Sequence, residues 1–239
     1  MNIAAENLDF RELNERVRTA ADDVIIDHCC GQRFIGSGLA GKRVVISGTP
    51  GNALGAYLDG GIIQVNGNAQ DAVGDTMNDG RIVIHGSAGD ALGYAMRGGG
   101  LFVRGDAGYR AGIHMKAYQD KKPVIVIGGK AGGFLGEYLA GGTIVVLGIG
   151  AEKRPPVGFY TGAGMHGGSI LIRTDHAPSG LPAQVSAEIA GEEDLRGIAP
   201  CVSEFAAYFD MDADALMNDR FYVLKPNAKN PYTRLYTAN

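Results

Sequence analysis

One glycine pattern governs the stretch from Gly48 to Gly148. Gly48 is followed by Gly51, Gly55, the pair Gly60 and Gly61, a short aliphatic run, and then Gly67, which opens the pattern again. Further units open at Gly86 and Gly105, each 19 residues after the last, and, beyond a small insertion, at Gly129 and Gly148. A fixed period of this size marks a solenoid, whose units bury their apolar faces only against their neighbours.

The residues before each closing glycine read as a strand. Two and four places ahead of it stand Val44 and Ile46, Ile63 and Val65, Ile82 and Ile84, Leu101 and Val103, Ile125 and Ile127, and Ile144 and Val146. The alternate places are mixed, as in Gln64 and Asn66 or Phe102 and Arg104. Period-two alternation sends the aliphatic set inward and the mixed set outward. Ten residues past each opening glycine come Leu58, Met77, Met96, Met115 and Leu139, with Met165 in the shifted last unit. These form a further inward ladder. Nineteen residues are too few for a strand, a full helix and two turns, so three short strands joined by tight bends are expected. The fold class is all-β, a right-handed parallel β-helix by the usual hand of parallel crossovers. Roughly seven coils at about 4.8 Å each make a rod on the order of 30 Å long.

The flanks complete the plan. Residues 1–35 are expected to form an N-terminal helix and cap, 36–175 the β-helix, and 176–239 a helical C-terminal segment and tail. In the first part Phe10, Leu13 and Val17 share one helical face over residues 7–20, with Asp9 and Glu12 placed as a capping box. Val24, Ile25 and Ile26 read as an entry strand. Open coil ends expose strand edges that need covering, and both flanks are natural caps. Beyond Arg173, residues 186–196 and 202–209 have helical spacing, Asp212 caps a short helix through Met217, and residues 221–224 read as a return strand. Two insertions, 113–123 and 149–157, break the glycine register and are expected as surface loops.

Composition limits function. The chain has 38 glycines, but they are periodic and 45% of residues are hydrophobic, so the glycine serves a fold rather than disorder. The net charge of −4, from 22 basic and 26 acidic residues with no basic stripe, disfavours nucleic acid and anionic membranes as partners. Cys29, Cys30 and Cys201 fit no disulfide framework, zinc site or cluster ligand set. No signal-like start and no long apolar run occur, and a cytoplasmic protein is expected.

Several motifs invite a chemical reading. GSGLAGK at 36–42 approaches a phosphate-binding loop, but Arg43 stands where a hydroxyl residue is required, and its glycine spacing recurs in other coils. GAGMHG at 162–167 precedes a strand, not the helix a dinucleotide fingerprint opens. Of His28, His85, His114, His166 and His176, no two are placed to share a metal. His28 beside Cys29 and Cys30 is the best metal candidate, yet adjacent strand residues face opposite ways. Asp71 and Asp90 stack in one column, but Asn52, Tyr109 and Gly133 continue it, so no acidic row of the kind a sugar-cleaving groove displays is built. No catalytic, cofactor-binding or metal residue is assigned.

The repeated G-xx-G-xxx-G with its strand and paired glycines resembles the β-helix (GXGXG) domain that closes the large subunit of glutamate synthase. It is similar also to the corresponding subunit of formylmethanofuran dehydrogenases. The resemblance spans Gly36 to about Arg173. The ending Pro231, Tyr232, Arg234, Leu235, Tyr236 looks more like the free-standing subunits of glutamate-synthase-like complexes, N-methylglutamate synthase among them. The resemblance implies a non-catalytic docking subunit between a glutamine amidotransferase subunit and a synthase subunit that carries FMN and an iron–sulfur cluster. Two alternatives stand: the equivalent β-helix subunit of a formylmethanofuran dehydrogenase or formyltransferase/hydrolase complex, again structural, and a stand-alone β-helix enzyme acting on carbohydrate.

Overall fold

The computed structural model describes residues 1–151 and 155–227. Nine strands run parallel in chain order: β1 Asn2–Ala4, β2 Val24–Cys30, β3 Arg43–Thr49, β4 Asp59–Asn66, β5 Asp79–Ile84, β6 Gly100–Val103, β7 Val124–Ile127, β8 Ala140–Val146 and β9 Gly167–Arg173. Each pairs with the strand of the next coil, and the register matches the glycine period: Ile46 lies against Val65, Val65 against Ile84, Ile84 against Val103. Every aliphatic residue assigned to the inward strand columns is fully buried, as are Leu58, Met77, Met96, Met115, Leu139 and Met165. The fold is the parallel β-helix its periodicity requires.

The coil is not three strands, however. A second side is reduced to single bridges, Ala69 to Ala88, Ala88 to Ala107, Ala107 to Ala131 and Ala131 to Val157. The third side is an arm in which every second residue is left-handed, for example Ala53 (φ 61), Gly55 (φ 64) and Tyr57 (φ 58). Its N–H groups point alternately to the two neighbours: Ala53 donates forward to the Asp71 carbonyl at 2.9 Å, Gly55 backward to the Ile35 carbonyl at 2.8 Å. Period-two aliphatic patterning reports a strand but is blind to this conformation, which also alternates. The arm therefore reads as strand in the residues and is not one.

Close stacking explains the glycines at the bend. Asp90 Oδ1 accepts from the backbone N–H of Tyr109 in the next coil at 2.8 Å, as Asp71 does from Asp90 at 2.9 Å. A Cβ on Gly108 would collide with that carboxylate oxygen and lie 2.8 Å from the Gly89 carbonyl carbon. Only a residue without a side chain leaves room.

At the N-terminal end, helix α1, Phe10–Thr19, lays Leu13 and Val17 on the first coil. Asp9 caps it by accepting from the Arg11 N–H, but Glu12 pairs with Arg16 instead of closing a capping box. At the other end the expected helix over 186–196 is largely replaced by strand β10, Val185–Ile189. It pairs antiparallel with β11, Phe221–Pro226, which pairs antiparallel with β9 and so closes the last coil. Val-Ser-Ala-Glu-Ile alternates, and the partner that makes it a strand arrives 36 residues later in chain order, at Phe221. Helix α2, Glu192–Phe209, runs unbroken through Pro200, and Asp212 caps α3, Ala213–Met217.

Helix α2 lies along the side of the rod. Val83, Phe102, Val126, Val145 and Leu171, outward with respect to the coil, are buried beneath Ile198, Val202, Phe205, Ala206 and Phe209. The molecule therefore has two apolar layers sharing one sheet.

Truncating Ile84 to Ala, at a site with no exposure, is expected to cost about 2–5 kcal/mol in denaturant unfolding. Gly108→Ala is expected to cost about 1–3 kcal/mol, because the added methyl must push two coils apart. Gly197→Ala, in α2 with nothing within 4 Å of the new atom, is expected to stabilise by about 0.5–1 kcal/mol.

Candidate functional site

The residues with phosphate-loop spacing serve the N-terminal cap. Lys42 Nζ donates to the carbonyls of Val17, Arg18 and Ala20, capping the C-terminus of α1 with a positive charge. Its ammonium is thereby committed to structure. Gly162 and Gly164 of the second glycine motif are left-handed arm residues, like their counterparts in earlier coils.

The histidines lie apart, with one exception in kind. His28 sits at the irregularity between β2 and β3, exposed and left-handed, while Cys29 is buried and Cys30 exposed, on opposite faces as alternation requires. His85 packs edge-on against Phe209 at 5.2 Å, and burial together with Arg104 lowers its pKa below the usual 6.5. His166 Nδ1 lies 3.2 Å from the Gly164 carbonyl, and His176 is exposed beyond β9. Among the described residues, no three His, Cys, Asp or Glu side chains gather as a metal site. His114 differs in company: its ring stacks on Tyr138 at 5.0 Å and meets Tyr94 edge-on at 6.0 Å.

That company extends into a ridge of rings on the outer surface of the arm. At one left-handed position the first coil carries Phe34, packed against Phe10 of α1, the next three carry Ala53, Ala72 and Ala91, and the late ones carry Arg110, Phe134 and Tyr160. Phe134 lies 5.1 Å from Tyr160 and 5.7 Å from Phe159, within the preferred range for aromatic pairs. The Arg110 guanidinium covers its other side at 4.7 Å and holds Glu137 at 3.0 Å. Gly133 has no side chain to separate Tyr109 from Phe159, whose rings approach to 6.2 Å. Tyr109, Phe159 and Tyr160 remain 47%, 56% and 54% exposed. No period analysis of inward columns finds this feature. Its signal was the change from Asn52, Asp71 and Asp90 to Tyr109 in the column that stacks four residues past each opening glycine.

The first insertion is a surface loop, as its break in the register implies. It folds back through a Tyr118–Lys121 bridge, and Lys121 Nζ reaches Asp79 at 3.0 Å and Asp59 at 3.4 Å, tying strand ends of separate coils. Between it and α2, Arg81 binds Glu204 at 2.6 Å, and Tyr208 donates to the same carboxylate at 3.0 Å. Burial, reinforced by Glu204, pushes the Tyr208 phenol up to about 12. This cluster anchors the helix. In the second insertion residues 152–154 lie outside the described residues, and Val157 rejoins the coil at Ala131.

The three thiols should react very differently. Burial raises Cys29 to about 11 and Cys201 to about 12, while Cys30 is exposed. Because the thiolate is the nucleophile, one fast equivalent, mapping to Cys30, is expected with a disulfide reagent at neutral pH, and two further equivalents only on unfolding. An unfolded chain releases the protons of Cys29 and Cys201 near their ordinary 9.0 while the native chain holds them to about 11 and 12. Stability should therefore fall as pH rises above about 9, a trend that thermal melts of wild type and Cys201→Ala would compare.

Comparison with known proteins bears on the whole chain. An uncharacterized protein of Methanocaldococcus jannaschii, MJ1350, is 43% identical over 251 aligned positions, covering 99% of this chain and 96% of that protein. Among solved structures, a chain of the formyltransferase/hydrolase complex (FhcABCD) from Methylorubrum extorquens, crystallised with methylofuran, superposes with a TM-score of 0.63. It has 21% identity and covers 92% of this chain and 89% of that one, a likeness of fold. The family model described as the GXGXG motif matches residues 11–227. The glycine repeat, the coil it builds and this match agree: the chain belongs to the GXGXG motif family.

Proposed function

We propose that this chain is a non-catalytic structural subunit, a stiff rod that holds other proteins of an enzyme assembly in fixed relation. The observation that carries the reading is the use of the glycines. Those of the repeat stand where a neighbouring coil's backbone or side chain occupies the space of a Cβ, or where the backbone takes a positive φ. The motif that defines the family is thus spent on winding. The side chains that the winding leaves over form a rigid, partly apolar outer surface, suited to gripping proteins.

On the finer reading, the assembly is of glutamate-synthase type, glutamate or N-methylglutamate synthase. The rod would link a glutamine amidotransferase subunit to a synthase subunit that carries FMN and an iron–sulfur cluster. A second reading, the β-helix subunit of a formylmethanofuran dehydrogenase or formyltransferase/hydrolase complex, is favoured by the end-to-end fold likeness to a chain of the FhcABCD complex.

Affinity purification of the tagged chain from its own cells, with identification of co-eluting proteins, tests both. An amidotransferase with a flavin and iron–sulfur protein is the outcome expected on the first reading; a formyltransferase or a molybdenum or tungsten protein is the outcome on the second. The isolated chain is expected to be colourless in the visible range and to turn over neither glutamine nor a polysaccharide panel. A monomer recovered without companions would overturn the structural role.

A further inference from the structure

We propose that the open arm edge of the first coil, beneath α1, is the seat of a short segment from a different protein, five residues with glycine second and apolar side chains first and fifth. This rests on the docking role above and says where one partner enters and what it presents.

Every later coil meets the arm before it through one row of backbone groups. In the coil that follows Gly48 these are the Asn52 carbonyl, the Gly55 N–H, the Ala56 carbonyl and the Asp59 N–H, which pair with Phe34, Ile35, Gly38 and Leu39 at 2.8–3.0 Å. The next coil repeats the row with Asp71, Gly74, Asp75 and Asn78. The first coil has the same row in Arg33, Gly36, Ser37 and Ala40, but no arm lies before it. The cap answers for its flanks. Asn14 Nδ2 of α1 donates to the Arg33 carbonyl at 2.8 Å, and Asp23 Oδ1 accepts from the N–H of Arg43, just past the row, at 3.0 Å. The middle three groups, the Gly36 N–H, the Ser37 carbonyl and the Ala40 N–H, have no partner among the described residues. Gly36 is buried, and buried backbone groups are nearly always paired. A cavity of about 570 Å³ opens at this place between α1 and the arm, lined by Gly36, Ser37 and Ala40 and by the apolar Phe10, Phe34 and Leu39.

Donor, acceptor, donor is the pattern of the three groups, and it selects the occupant. An anion would meet the Ser37 carbonyl between the two donors and Glu15 on the cavity wall, while the Lys42 ammonium is held by three carbonyls. A peptide backbone added at the edge satisfies all three. In later coils the mate is a stretch such as residues 54–58, in which the carbonyls of Leu54 and Leu58 accept and the Tyr57 N–H donates. Leu54 and Leu58 are fully buried, and the second place is a left-handed glycine in coil after coil, at Gly55, Gly74, Gly93 and Gly112. Residues 228–239 contain no glycine, so the end of this chain lacks the residue the place demands. The last coil does hold a matching stretch, residues 161–165. In a second copy it is kept away, because β10 and β11 lie beyond β9 on one molecule and β1 lies beyond β2 on the other, and the sheets would collide before the arms met. A segment of a different chain fits.

Hydrogen exchange reads the site directly. In the isolated full chain the Ala40 amide is expected to exchange roughly tenfold faster or more than its paired counterparts in Asp59 and Asn78. In the assembly purified from native cells it is expected to slow to their rate. Benzoylphenylalanine at position 37, with position 57 as the control in a coil whose row is paired, is expected on irradiation to mark a different protein, at a stretch with glycine between apolar residues. Ala40→Pro deletes a donor that the isolated chain does not use, so its melting transition is expected to stay unchanged while the partner is recovered about tenfold less well. Asn78→Pro, which deletes the counterpart bonded to the Leu58 carbonyl at 2.8 Å, is expected to lower the transition. A slow Ala40 amide in the isolated chain, slowing by inorganic phosphate alone, adducts to residues 228–239 or to a second copy, or undiminished recovery by Ala40→Pro would each overturn the assignment. If partners co-purify and the Ala40 amide still exchanges as fast as in isolation, the site falls and the docking role stands. If wild type brings down none, the docking role itself falls.

Discussion

The fold depends on one distance, the separation of about 4.8 Å between the backbones of successive coils. At that spacing nothing larger than hydrogen fits between some pairs of residues, so the position that opens each unit is glycine in coil after coil, from Gly48 through Gly67, Gly86 and Gly105 to Gly129. The requirement propagates along the chain because every coil is both floor and ceiling for its neighbours. It also explains the side-chain ladders: Asn68, Ser87 and Asp106 each accept a backbone N–H from the following coil. A backbone N–H at a bend without a partner in its own coil finds one in the neighbouring layer. Burial of the aliphatic columns supplies the driving force, but contact between backbones decides the shape into which they are driven.

The parts of this arrangement that repeat were legible in the residues. Ile46, Val65, Ile84 and Val103 announce themselves as a column because they recur at one phase, and so do Met77, Met96 and Met115. What does not repeat was hidden. Val185–Ile189 is an ordinary alternating segment whose strand identity depends on β11, a distant partner. Helix α2 crosses Pro200 because its apolar face rests on Val83, Phe102 and Val126, and tertiary packing outweighs the local break. The left-handed arm was also concealed, since φ leaves no trace in a hydrophobic pattern when alanine, tyrosine and arginine occupy the same conformational position. The aromatic ridge was visible as letters and invisible as a surface, because Tyr109 and Phe159 are separated in their column by Gly133, while Phe134 and Tyr160 stand in the neighbouring column, and the rings meet only in three dimensions.

The three sides of the coil have different fates. One is sealed by α2, whose Phe205 and Phe209 convert an outward strand face into a second core. The bridge side is tied by its alanines and by acceptors at the bends. The arm is left largely open to solvent, and there the sequence varies from coil to coil, with Phe34 and Tyr57 in the early coils, alanines between, and a cluster of rings in the late ones. Structural needs are met identically in each coil, so whatever differs from coil to coil on the open side is available for recognition.

The alternating direction of hydrogen bonds on the arm has a mechanical reading. Each coil is fastened both upward and downward by residues two apart, so sliding one layer over the next breaks bonds on both sides at once, and the stack resists shear as well as stretch. Such an object acts as a ruler with integer graduations. Loss or gain of one 19-residue layer would change the distance between proteins attached at its two ends by a single step of about 4.8 Å, and no intermediate length is open to it.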